Sequence, residues 1–229
     1  MKIIKPSIEI LTITPNILQL IEKAGRTCYK SEANITEDSA QKFIKGLLKR
    51  GHESVIEHGV VTVRIICDRG VLFEFTRHRI ASFSVESTRY CNYGNKDIEF
   101  IEPCFWKLTN IKIIKNKYSN KLELLELKPG KNTNDDDNFS DWFFAIKVSE
   151  ELYKGLIKRG ATPQEARSVL PNSLKTEIVV TMNLRSWRHF LKLRYANSAH
   201  PQMREIAFMI LKEFKQKIPI VFDDLKEIE

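Results

Sequence analysis

RHRIASFSVESTR, residues 77–89, brings Arg77, His78, Arg79 and Arg89 together with Ser82, Ser84, Ser87 and Thr88. In an extended chain Arg77 and Arg79 fall on one face and His78 on the other. Arginine forks match phosphate oxygens, or planar carbonyl and imide groups, with paired hydrogen bonds. Hydroxyls and free backbone N–H groups complete an anion site. The stretch therefore suits a nucleotide. A solvated basic turn has the same composition, and the residues alone leave both readings open.

Outward from this stretch, the pattern predicts a mixed α/β (α+β) fold. Toward the N-terminus, Gly70 to Thr76 reads as a short helix that delivers the chain to Arg77, and Val60 to Cys67 as a β-branched strand. Thr36 is expected to cap an amphipathic helix with Ala40, Phe43, Ile44, Leu47 and Leu48 on its stripe and Gly51 at its end. Residues 2–12 read as one strand, and Thr14-Pro15 as the start of a helix to about Arg26. Toward the C-terminus, Ile98 to Ile101 reads as a short strand. Trp142 to Ile157 has helical spacing, and Thr162-Pro163-Gln164-Glu165 is a capping box for a short helix that Pro171 stops. Thr176 to Met182 is a strand, Arg185 to Arg194 a helix, and Met203 to Phe214 a last helix. Residues 107–140, with Pro129-Gly130 and the run Asn132 to Asn138, read as a flexible surface insertion. A single catalytic domain over 1–229, a central sheet flanked by helices, is the expected organisation.

The composition removes some function classes. With 42% apolar residues a packed core is within reach, yet no run approaches the ~18 to 20 apolar residues of a membrane span. No signal-peptide pattern precedes Ile13, so a cytoplasmic protein is expected. The net charge of +8 suits phosphate-bearing partners. Cys28, Cys67, Cys91 and Cys104 form no C-x-x-C pair, which argues against a zinc site or disulfide framework and for reduced thiols.

Three further segments hold chemistry-bearing side chains. His52-Glu53-Ser54-Val55-Ile56-Glu57-His58 pairs two histidines with two carboxylates, but the histidines are six apart and do not share a helical face. Polar contacts to a ligand or subunit fit this segment better than a metal. Glu165 to Pro171 puts Arg167 in the first turns of a capped helix, a place that favours phosphate and also admits an ordinary surface arginine. Asn183 to Arg194 puts Arg185 and His189 on one helical face. Arg194 lies seven residues after Trp187, on the apolar stripe. A cation there calls for a buried ion pair or for a pocket that receives an anionic or imide ligand. All five histidines fall in or beside these polar segments, as they would if the segments shared a site.

With those segments in place, the chain resembles the flavin-dependent thymidylate synthases. RHRIASFSVESTR fits their R-H-R-x7-S signature. Residues 52–58 resemble their H-E-[ST]-x-x-E-H block, 165–171 their E-A-R-x-V-L-P block, and 183–194 their N-x-R-S-x-x-x-F-L-x-L-R block. His200 to Glu205 is similar to a variant found in part of the family. The resemblance implies the family's fold and the conversion of dUMP to dTMP, with methylenetetrahydrofolate as carbon donor and NADPH as reductant through FAD. It also implies a homotetramer with active sites at subunit interfaces.

By position, Arg77, His78 and Arg79 would contact FAD, with Ser54, Glu57, Asn183, Arg185 and His189 beside it. Glu74, Glu86, Ser87, Arg89, Arg167 and Arg194 would hold dUMP, with Arg194 the catalytic residue. Many members carry Glu or Gln two residues before the signature serine. Here that position is Val85, with Glu86 next to it. Some members have Asn at the position of His189. Pro103-Cys104 shares two letters with the nucleophile segment of the flavin-free synthases but lacks its His, so Cys104 is expected to pack. Ser87 has no neighbouring base and is expected to bind rather than attack.

Two other classes compete. A nucleic-acid binder predicts a contiguous basic face or base-stacking aromatics. A metal-dependent hydrolase would use His52 and His58. Both predict a colourless protein. The arginines here are spread over distant segments among hydroxyls, which suits a small pocket.

Overall fold

The computed structural model describes residues 1–117, 119 and 121–225. Tyr118, Asn120 and residues 226–229, which the single-domain expectation over 1–229 includes, lie outside the described residues. The chain divides into two compact units, neither continuous in sequence. The first is built from Met1–Pro6, Cys67–Gly70 and Glu86–Thr176; the second from Ser7–Ile66, Val71–Val85 and the chain from Glu177 onward.

In chain order the strands are β1 (Lys2–Ile4), β2 (Ser7–Ile13), β3 (Val60–Asp68), β4 (Ala81–Val85), β5 (Glu99–Ile101), β6 (Ile111–Lys115), β7 (Leu122–Glu126) and β8 (Lys175–Asn183). The helices are α1 (Ile17–Thr27), α2 (Ser39–Lys49), α3 (Arg69–Phe75), α4 (Asn134–Lys158), α5 (Pro163–Ala166), α6 (Leu184–Arg194) and α7 (Pro201–Lys217). A 3-10 helix, Glu53–His58, lies between α2 and β3.

The second unit carries a four-stranded sheet in the order β2-β3-β8-β4, with β2 antiparallel to β3 and β4 antiparallel to β8. Alternation along β3 and β8 buries Val61, Val63 and Ile65 beside Ile178, Val180 and Met182. That period of two selects the inward face of the sheet. Helix α6 packs here through Trp187, whose indole N–H donates to the Val61 carbonyl at 3.1 Å, and through Phe190, stacked on Phe75 at 4.8 Å. Gly51 at φ +71° closes α2: its N–H donates to the Leu48 carbonyl and the His52 N–H to the Leu47 carbonyl. This left-handed cap turns the chain into the 3-10 helix.

The first unit pairs β1 in parallel with β5 and holds the β6–β7 hairpin and α4. Its core joins Ile98, Phe100, Ile146, Tyr153 and Leu174. A smaller cluster centres on Ile111, Phe139 and Phe143.

Several sequence expectations are corrected. Residues 2–12 form two strands, in different units, because Pro6 has no N–H to continue a ladder. Thr14 does not cap α1; it exchanges hydrogen bonds with the Val60 backbone, and α1 begins after Asn16 in a left-handed conformation. Helix α2 begins at Ser39, with Asp38 rather than Thr36 at the cap position. The segment 107–140 contains a hairpin, and Asn132 to Asn138 is largely the first turn of α4 rather than a loop. Thr133 and Asp136 form a capping box, and Asp135, Asp136 and Asp137 sit where the helix dipole favours negative charge. Cys104 is exposed, not a packing residue. No helix among the described residues is long and apolar enough to cross a membrane.

Candidate active site

Within the second unit, a cavity of about 480 Å³ opens between the turn that follows α3, one face of α6 and the 3-10 helix. Arg77, His78, Arg79 and Ile80 line it from the turn. Asn183, Arg185, Ser186, His189, Leu193 and Arg194 line it from α6, spaced to return to one face. Glu57 closes the third side and pairs with Arg185 at 2.6 Å. Arg77, His78 and Arg79 reach the same cavity because the chain turns here instead of running extended. The His78 N–H donates to the Phe75 carbonyl, and Ile80 sits at φ +60°. A β-branched residue in that region is strained, and such strain clusters at ligand sites.

Arg194 is held by three bonds from one short segment. Its Nε–H donates to His78 Nε2 at 2.9 Å, Nη1–H to Glu74 Oε2 at 2.6 Å and Nη2–H to the Glu74 carbonyl at 3.2 Å. Accepting at Nε2 puts the His78 proton on Nδ1 and keeps the ring neutral. Burial, then the Arg194 and His189 charges, push the His78 pKa down from 6.5 to about 4. The unfolded chain takes up a proton near pH 6.5 and the folded one only near 4, so this contribution to stability is full above 6.5 and lost as pH falls toward 4. The gap in urea midpoint between wild type and His78→Gln should therefore shrink as pH drops from 6.5 to 4.5. A gap that stays constant would contradict a lowered pKa.

Arg188, one residue before His189, is the buried cation of α6, at 2% exposure. It bonds Glu53 at 3.2 Å, Asp224 at 2.6 and 2.7 Å, and the Val221 carbonyl. The carboxylates of residues 52–58 thus serve arginines: Glu53 takes Arg188 and Lys192, and Glu57 takes Arg185. Among the described residues no group of three or more His, Cys, Asp or Glu could hold a metal ion.

The first unit holds a second polar cluster. Ser87 accepts from the Arg89 N–H through Oγ, and its carbonyl accepts from the N–H groups of Tyr90 and Cys91. Buried Thr88 accepts from Arg167 at 3.3 Å. The Arg89 guanidinium lies over the Tyr90 ring. Glu86 has both carboxylate oxygens engaged, one by the Tyr93 hydroxyl at 2.8 Å and one by the Lys175 ammonium at 3.0 Å.

With these geometries in view, the comparisons are decisive. A family model described as thymidylate synthase complementing protein matches residues 9–220. The chain is 32% identical over 210 residues to the flavin-dependent thymidylate synthase of Pyrococcus furiosus, covering 91% of this chain and 74% of that protein. It is also 32% identical over 209 residues to the flavin-dependent thymidylate synthase of Corynebacterium aurimucosum, covering 90% of this chain and 78% of that one. The chain belongs to the flavin-dependent thymidylate synthase family. Its fold is also that of the UMP/dUMP methylase PolB from Streptomyces cacaoi, solved with 5-Br dUMP, at a TM-score of 0.72 and 23% identity over 97% of this chain and 95% of that one.

Of the positions singled out by resemblance to the flavin-dependent thymidylate synthases, Glu57, Arg77, His78, Arg79, Asn183, Arg185, His189 and Arg194 line the one cavity. Ser54 is exposed and outside its lining. Glu74 is also outside the lining and grips Arg194 instead. Glu86, Ser87, Arg89 and Arg167 belong to the first unit. Of the five histidines only His78 and His189 line the cavity. Sequence reading missed Ile80, Ser186 and Leu193. Ser186 could have been found as the residue whose N–H the Asn183 side chain caps, at 2.8 Å.

Proposed function

We propose that this chain is an FAD-dependent thymidylate synthase that converts dUMP to dTMP, with methylenetetrahydrofolate as carbon donor and NADPH as reductant. The observation that carries the reading is the cavity into which Arg77, His78 and Arg79 converge with Asn183, Arg185, His189 and Arg194. Its donor set fits FAD: arginine forks for a pyrophosphate, amide and imidazole groups for a ring edge, and Ile80 and Leu193 for a planar apolar face. Bound FAD would supply the redox chemistry, and the chain supplies placement. In this reading Ser54, Glu57, Asn183, Arg185 and His189 surround FAD together with residues 77–79.

Ser87, Arg89 and Arg167 hold dUMP, the two arginines on its phosphate. Arg194 faces the uracil, where negative charge must build on the ring carbonyls, and a fixed guanidinium stabilises that charge. Glu86, beside the position where Val85 lacks a polar group, belongs to the same nucleotide-binding set and accepts from Tyr93 and Lys175. A homotetramer with active sites between subunits accords with Ile80, 78% exposed, and Leu193, 50% exposed, at the rim of the cavity, where a partner would cover them.

The purified protein loaded with FAD should be yellow, and its flavin absorbance should bleach when NADPH is added without oxygen. A chain that neither binds saturating FAD nor supports its reduction does not carry this function. A nucleic-acid binder or a metal hydrolase gives a colourless protein in the same cuvette.

A further inference from the structure

The segment Ile218 to Leu225 contributes nothing to the cavity lining, yet it grips the helix that does. Ile218, Val221 and Phe222 are fully buried, and Phe222 packs on Phe214 of α7 at 4.9 Å. The turn between them is tight: Ile220 sits at φ +76°, and its N–H donates to Asp223 Oδ2 at 3.0 Å. A β-branched residue in that region is strained and persists only where its surroundings over-determine the backbone. The turn delivers Asp224 to Arg188. Nη1 donates to Oδ1 at 2.6 Å and Nη2 to Oδ2 at 2.7 Å, while Nε donates to Glu53 Oε1 at 3.2 Å. A guanidinium is planar, so a carboxylate that takes both terminal nitrogens fixes the plane in which Nε meets Glu53.

Glu53 opens the 3-10 helix, Ile56 seats it in the core at 0% exposure, and Glu57 takes Arg185 at 2.6 Å. Arg185 and Arg188 are three apart on α6, so neighbouring positions of one helix hold both carboxylates of the 3-10 helix. Of these four, Glu57 and Arg185 line the cavity and Glu53 and Arg188 do not. All of them, with Asp224, belong to the second unit. We infer that Asp224 is a positioning residue for the flavin cavity: through Arg188 it fixes Glu53, and with Glu53 the Glu57–Arg185 pair. This rests on the proposed binding of FAD there. Asp224 is 54% exposed and Arg188 only 2%, so the link can be broken from solvent without opening the core. A guanidinium released by Asp224 can turn, and its bond to Glu53, the longest of the three, yields first. The 3-10 helix then keeps only an exposed tie at Glu53, from Lys192 at 3.4 Å, and exposed pairs hold weakly.

The test is FAD affinity, read by flavin fluorescence well below the melting temperature of each variant, so that the folded fraction does not enter. Asp224→Ala should weaken FAD by about threefold to thirtyfold, the range for a residue coupled to a site it does not touch. Asp224→Asn keeps the shape and one acceptor and should weaken it by about threefold; this variant carries the same reading if the Ala variant does not fold. A lowered melting temperature with FAD affinity within about twofold of wild type would mean that Asp224 serves stability alone, and the inference falls. The second arm uses Arg188→Met, which keeps most of the volume and removes the cation. In that background Asp224→Ala should change FAD affinity by less than about twofold, because the group it acts through is gone. Equal losses in the two backgrounds would give Asp224 another route to the cavity and also overturn the inference. Wild-type protein that does not bind FAD removes the functional reading as well, whereas wild-type binding with unaffected variants removes this inference alone.

Discussion

Arg194→Ala is expected to retain FAD and lose dUMP. The arginine ends α6, and its three committed bonds all go to Glu74 and His78. Its remaining donors are the ones free for a ligand. Truncation removes them and leaves the Glu74 carboxylate without its cation at the edge of the site. A negative group in that place repels an anionic nucleotide. Loss of one partner of a hydrogen-bonded charge pair costs about 2 to 5 kcal/mol, and both ends are partly exposed here, so ~3 kcal/mol is expected. That is a weakening of dUMP by roughly a hundredfold or more. Titration of the FAD-loaded variant measures it directly. Unchanged dUMP affinity would refute the role given to Arg194. Loss of FAD in the same variant would instead place Arg194 in the flavin site.

Arg188→Ala is expected to destabilise the second unit more than any change within the cavity. Arg188 is buried, and it satisfies Glu53, Asp224 and the Val221 carbonyl at once. Breaking a buried ion pair from one side costs about 3 to 5 kcal/mol, because the partners are left uncompensated. Asp224 is 54% exposed and can regain water, which places the cost toward the lower end. For a chain of this size ~3 kcal/mol corresponds to a fall in Tm of roughly 6 to 12 °C. The loss should also reach the cofactor. Glu53 anchors the 3-10 helix that carries Glu57 to Arg185, so FAD affinity should fall although Arg188 does not line the cavity. A melting temperature within about 2 °C of wild type would show that the pair contributes little.

The comparison of Arg188 with Arg194 shows how far the sequence could be read. Helical spacing puts Arg194 on the Trp187 stripe and calls for a buried ion pair or a ligand pocket. The structure pairs Arg194, partly buried, with Glu74 and sets it in the lining of the cavity. The fully buried cation is Arg188, whose partners Glu53 and Asp224 lie 135 and 36 residues away. Periodicity cannot reveal partners at that separation, since it reports a face and not what covers it.

Several signals whose chemistry is local were legible. The Thr162–Glu165 box, the Gly51 cap and the alternation along β3 and β8 each act within a few residues. The same capping chemistry at Thr133–Asp136 was obscured by the surrounding Asn and Asp residues, whose composition is shared by loops and helix starts. The turn at 77–80 was left open by the sequence because its geometry depends on α3 ending at Phe75 and on the left-handed Ile80, neither of which leaves a glycine or proline as a marker. The engagement of Glu86 by Tyr93 and by Lys175, 89 residues away, has no sequence signature.

The central claim is that this cavity and these arginines methylate dUMP with FAD as the redox group. The most direct measurement is dTMP formation by the purified chain supplied with dUMP, methylenetetrahydrofolate and NADPH, with and without FAD, followed by chromatography of the nucleotides. The account requires dTMP to accumulate only when FAD is present. A chain that binds both FAD and dUMP yet forms no more dTMP than the flavin-free control would contradict it.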